Sequence, residues 1–117
     1  QLMPFVIDYK IKQGAFLIAE NQLIAAKTVF ASALSLNPTI KEIHLNLGYI
    51  SLLEQDFKKA ESYLKQALSL DPDYLLAYEN LVLSAQMQNK TKQVKAYLNK
   101  ILEIAPNHKA KIILEEI

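Results

Sequence analysis

The chain has 117 residues, 51% of them hydrophobic, and 13 Lys+Arg stand against 12 Asp+Glu for a net charge of +1. That is single-domain length, enough to bury most of its apolar surface, and the balanced charge implies neither an acidic nor a basic partner. There is no cysteine, which excludes disulfides and thiol chemistry; every cationic side chain is lysine, which argues against base-specific nucleic-acid reading; and no apolar run approaches a bilayer span. Gln1 is not an initiator and no signal-like segment opens the chain. The sequence is expected to be part of a longer one, so it assigns no compartment.

Periodicity predicts seven helices, near 5–20, 23–36, 40–54, 57–70, 74–88, 91–104 and 108–117. The first carries Phe5, Tyr9 and Phe16 on one face and Ile11, Ala15 and Ile18 on another. Asn21 follows in a turn where a positive φ is expected. The second helix ends in ALSLNP, from Ala33 to Pro38. In the third, Ile43, Leu47 and Ile50 recur at i, i+4 and i+7, the core side of a helix, beside a second stripe of Leu45, Tyr49 and Leu52 or Leu53. Gln55 takes the turn position. The fourth helix repeats the pattern with Ala60, Leu64, Ala67 and Leu68, and ends in ALSLDP, Ala67 to Pro72. The fifth places Leu76, Leu83 and Met87 on its second stripe, and Asn89 marks its turn. Lys90, Lys92, Lys95 and Lys100 gather on the sixth, the pattern of a solvated face. That helix ends in ILEIAP, Ile101 to Pro106.

Those three endings lie 34 residues apart, and other columns agree with them. Gly14, Gly48 and Val82 align, as do Ala26, Ala60 and Val94; Phe30, Leu64 and Leu98; and Ala33, Ala67 and Ile101. Small residues suit positions where two antiparallel helices cross closely, with Gly48 facing Ala60. Asn37 and Asp71 suit turn initiation before proline and can cap the next helix. The alanine and leucines of each ALSL ending are expected to pack under the next repeat.

The 34-residue period with Leu47-Gly48, Ala60, Leu64, Ala67 and Pro72 at these offsets resembles the tetratricopeptide repeat, a helix–turn–helix unit. The resemblance covers nearly the whole chain. It implies an all-α, right-handed α-solenoid of three helix–turn–helix repeats, about 7–40, 41–74 and 75–108, plus a C-terminal capping helix at 109–117, in a single array over 1–117. Stacked copies bury a continuous core that one hairpin cannot. The chain departs from the family at His44, where tryptophan is usual, at Ser51 and Ala85, where tyrosine is usual, and in the enlarged Val82, Val94 and Ile101 of the third repeat.

The resemblance also implies a function in protein–protein interaction, with the first helix of each pair lining a concave groove that takes a peptide or a partner helix. Residues expected there are Asp8, Ile11, Lys12, Ala15, Leu45, Asn46, Tyr49, Leu76, Glu79, Asn80, Leu83 and Met87. Some family members grip a terminal carboxylate with lysine, arginine and asparagine. Here Asn46 matches, but Ile11, Ala15, Leu76 and Asn80 stand at the other four positions, so that specialisation is rejected. The alternatives are self-association through an N-terminal edge of Phe5, Tyr9 and Phe16, or an appendage of a larger enzyme or secretion-related protein. No nucleic acid, metal or cofactor is expected. His44 and His108 lie 64 residues apart with no ligand cluster, no glycine-rich loop cradles phosphate, and no serine has a His–Asp pairing, so no catalytic residue is assigned.

Overall fold

The computed structural model describes residues 2–117. Its helices are α1 (Met3–Ala19), α2 (Leu23–Leu36), α3 (Lys41–Leu53), α4 (Phe57–Leu70), α5 (Leu75–Met87), α6 (Thr91–Ile104) and α7 (Ala110–Glu116). Among the described residues there is no strand, and no helix is long and apolar enough to cross a membrane.

Each hairpin turn is built the same way. Asn21, Gln55 and Asn89 take φ of 58°, 60° and 57°. Around each, two backbone bonds close the helix end, as in Gln22 N–H to Leu17 C=O and Asn21 N–H to Ile18 C=O, the paired bonds of a Schellman motif. The left-handed residue reverses the chain, and the next helix runs back against the last. Between repeats the turn is different. Asn37 Oδ1 accepts from the Thr39 backbone and hydroxyl, and Asp71 Oδ1 accepts from Asp73 N–H. These are side-chain-stabilised turns ahead of α3 and α5. Contrary to expectation, neither side chain caps the following helix: the cap positions are Ile40 and Tyr74, which make no side-chain cap bond.

Packing follows the columns. Ala26, Phe30 and Ala33 of α2, Ala60, Leu64 and Ala67 of α4, and Val94, Leu98 and Ile101 of α6 are all buried. Ile43, Leu47 and Ile50 join the α2 residues in one cluster, and Ala77 and Leu81 join Leu64 and Ala67 in the next. Each first helix therefore seals the hairpin before it. The ALSL endings pack only in part: Ala33 and Ala67 are buried and Leu34 and Leu68 half-buried, but Leu36 and Leu70 are exposed.

The backbones of first helices α1 and α3, and of α3 and α5, run close side by side, while those of α2, α4 and α6 stay further from one another. The first-helix side is thus the narrower, concave side of a tetratricopeptide-like solenoid about 47 Å long.

Candidate functional site: the first-helix face

The face is set by helix geometry. Residues one repeat apart on α1, α3 and α5 lie beside each other, so columns of the sequence become rows across the surface. One row begins with Asp8 and Glu42. These two acids, with Ile7, Ile11 and Ile40, line a depression of about 650 Å³ between α1 and the turn that leads into α3. Asp8 also pairs with Lys12 at 3.0 Å, one helical turn on, and both are largely exposed. Ile11 is half-buried against the first core cluster, and Ala15 is exposed.

On α3, Leu45 is half-buried and packs partly into the cluster formed by Leu64, Ala67 and Tyr74. Tyr49 is half-buried one turn further on. Of the two candidates for the end of that stripe, Leu53 is exposed and Leu52 is fully buried, so Leu52 belongs to the core. Asn46 donates from Nδ2 to its own helix, to the Glu42 carbonyl at 2.7 Å, which leaves one amide N–H and the carbonyl oxygen for other partners.

On α5, Leu76 and Met87 are exposed, and Asn80 and Leu83 are half-buried. Glu79 does not stand free: its Oε1 accepts from His108 Nε2 at 3.0 Å, while His108 Nδ1 accepts the Ala110 backbone N–H at 2.9 Å. Both ring nitrogens are thereby occupied, and the histidine ties α5 to the start of α7. A smaller depression of about 190 Å³ lies here, lined by Glu79, Leu83, Gln86, His108 and Ile113. Tyr49 lies between these two depressions and lines neither.

His44, the other departure from pattern, is buried. Its Nε2 donates to the Pro38 carbonyl at 2.8 Å, fastening the inter-repeat turn to α3. Nearby, Lys41 joins α3 to the next turn. It bonds to the Asp71 carboxylate and sits over the Tyr74 ring, 4.5 Å from its centroid. The bond from Lys41 holds the Asp71 carboxyl below its ordinary value, and the same bond raises the Lys41 ammonium. Burial, helped by the charges of Glu42 and Asp71, pushes the Tyr74 phenol up to about 12.

The sequence reading brought Asp8 and Ile11 to the face but missed their neighbours Met3, Pro4, Ile7, Leu36, Asn37 and Ile40, which with Glu42 complete the larger depression. The sequence signal for them was the last leucine of ALSL, an apolar residue beyond the reach of its own core.

Among curated proteins no sequence matches this chain. Solved structures do. The Arabidopsis OM64 TPR domain superposes with a TM-score of 0.83 at 20% identity, covering 94% of this chain and 92% of that one. The first TPR domain of human RPAP3 gives 0.86 at 19% identity, over 97% and 90%. The O-GlcNAc transferase of Thermobaculum terrenum gives 0.87 at 18% identity, over 97% of this chain but only 22% of that one. At such identities the likeness establishes the fold. A family model described as tetratricopeptide repeat matches residues 51–114, more than half of the chain. With the 34-residue columns, the left-handed hairpin turns and the stacked first helices, this chain belongs to the tetratricopeptide repeat family.

Proposed function

We propose that the chain is a protein-interaction module whose first-helix face binds a peptide or partner helix carrying apolar side chains and a lysine or arginine. The observation that carries the reading is the depression shared by Asp8 and Glu42. Two acids from equivalent positions of successive repeats line it together with Ile7, Ile11 and Ile40. An apolar pocket with a few convergent charges is what orients a ligand. Tyr49, with Leu45 and Leu53 on its own helix and Leu83 on the next, is the central anchor, and Leu76 and Met87 extend the apolar surface along α5. Asn46 and Asn80 offer amide groups to a ligand backbone.

Charge sets the ligand class. The first TPR of Spaghetti (RPAP3), a structural neighbour at 19% identity, is bound to an HSP90 peptide of sequence SRMEEVD. Here Asn46 matches one of the five positions that would grip a carboxylate, but Ile11, Ala15, Leu76 and Asn80 hold the other four, and the acids Asp8, Glu42 and Glu79 lie on the same face. An acidic tail is therefore disfavoured.

Fluorescence anisotropy with two labelled peptides tests this. One interleaves leucines with a single arginine; the other replaces that arginine by glutamate. The arginine peptide should bind more tightly, and Glu42→Lys should reverse the order. Tyr49→Ala should weaken binding by about 2 kcal/mol or more with little change in unfolding stability. Equal binding of both peptides, or a preference for the acidic one, overturns the reading.

A further inference from the structure

The outer side of α1 carries a stripe with no counterpart in the other first helices. Phe5, Tyr9 and Phe16 are 74%, 67% and 62% exposed. In the columns of Tyr9 and Phe16, the second and third repeats hold Ile43 with Ile50 and Ala77 with Ser84, each at 0–1% exposure under the preceding hairpin. The same positions are thus sealed twice and open once. Leu2 and Val6 extend the stripe, and with Phe5, Tyr9, Lys10 and Gln13 they line a shallow depression of about 350 Å³.

We propose that this face pairs with a second copy of the chain, α1 against α1, antiparallel about a two-fold axis. The stripe is self-complementary. Phe5 and Phe16 share a midpoint near residue 11, and so do Tyr9 and Gln13. An antiparallel partner centred there sets Phe5 of each copy against Phe16 of the other, and the Tyr9 hydroxyl beside the Gln13 amide. This is an isologous contact in which every residue meets its own complement. Area is sufficient in kind. Three rings of about 200 Å² each, at roughly two-thirds exposure, offer about 400 Å² of the approximately 800 Å² that each partner buries in a standard interface. Leu2, Val6 and the flanks supply much of the remainder.

Two other occupants fit less well. Gln13 stands in the column of the buried Leu47 and Leu81, so a preceding hairpin seated like the internal ones would bury its amide among apolar side chains. The chain at 3–6 is also helical, where the inter-repeat turn falls in the later copies: Pro4, in the column of Pro38 and Pro72, sits in the first turn of α1. Head-to-tail stacking would set the stripe against α7, where Glu115 and Glu116 are exposed in the columns of Leu47 and Gly48 beside the exposed Ile112 and Ile117.

The inference is independent of the groove reading, and its test needs no ligand. Light scattering of the purified chain from 1 µM to 1 mM should rise from 13.3 kDa to twice that mass. Tyr9→Glu and Phe16→Glu should each raise the dimer dissociation constant at least 100-fold, with helical circular dichroism and melting unchanged. Because the chain has no cysteine, crosslinking then reads the geometry. Under mild oxidation, Phe5→Cys/Phe16→Cys should give a covalent dimer, while either single substitution should not. A monomer throughout the range, a mass that grows beyond the dimer, or efficient crosslinking of Phe5→Cys alone overturns the proposal.

Discussion

The ring of Phe30 fills the space in front of Gly14: a Cβ on that glycine would lie 2.5 Å from ring atoms Cε2 and Cζ. In the next repeat the same pair is Gly48 and Leu64, where the added atom would lie 3.0 Å from the leucine and 3.4 Å from the Ala60 carbonyl. In the third, Val82 faces Leu98 and both are buried. The crossings are thus solved three ways by matching one side chain to its opposite. Gly14→Ala should destabilise by about 1–3 kcal/mol, although alanine favours helix by about 1 kcal/mol. Phe30→Leu in that background should recover part of the loss, a coupling that a double-mutant cycle in urea measures. Additive effects would mean that the ring is free to move.

The middle crossing should resent enlargement more than the third. Ala60 is fully buried with its carbonyl close to Gly48, and Ala60→Leu should cost about 1–3 kcal/mol. Val94→Leu should cost less, because Val82 already stands where the other repeats have glycine. Denaturant midpoints compare the two directly; equal losses would refute the argument.

Alkaline stability should depend on Tyr74. Its folded value is raised to about 12, so the neutral phenol is favoured in the fold. The stability it contributes is complete below the unfolded value near 10 and is lost as pH rises toward 12. Lys41, also raised by its bond to Asp71, likewise loses its contribution as pH rises above its ordinary range. Asp71 works in the other direction: its value is lowered, so its contribution disappears in acid, as pH falls through the folded value. Tyr74→Phe should flatten the decline between pH 10 and 12 by at most about 1.4 kcal/mol per pH unit, read from urea titrations at fixed pH. An unchanged slope would show that the phenol is not what titrates.

His108 should govern α7 alone. Removing it takes away the acceptor for Ala110 N–H and the link to Glu79. Hydrogen exchange in 110–116 should accelerate with His108→Ala, while global stability falls by about 1 kcal/mol or less. Slower exchange in α7, or acceleration throughout the array, would contradict this.

How much of this was legible varies by element. The second helices matched at 23–36, 57–70 and 91–104, because a left-handed turn residue precedes each and a proline follows. The first helices shifted by one or two residues, since no left-handed turn residue precedes α3 or α5 to mark the start. Within the site, Asp8 and Glu42 could be aligned from the period alone. That they share a depression with Ile40 and Leu36 depends on where a turn lies in space. The choice between Leu52 and Leu53 was closed to periodicity: neighbouring apolar residues differ by about 100° around a helix, and the elements packed around α3 decide which is covered. The back-bonded amide of Asn46 was likewise invisible, since the same asparagine could as well point outward.

Among the described residues, every helix contact joins elements no more than one repeat apart in sequence. The chain therefore never closes a long loop to reach its native shape. Low contact order predicts folding in microseconds to milliseconds, and a nearest-neighbour array predicts that it frays from its ends. The hairpin of α3 and α4, flanked on both sides, should be the last to open. Tyr49, the anchor proposed above, sits on it, so the proposed contact lies on the hairpin that the other two hold closed.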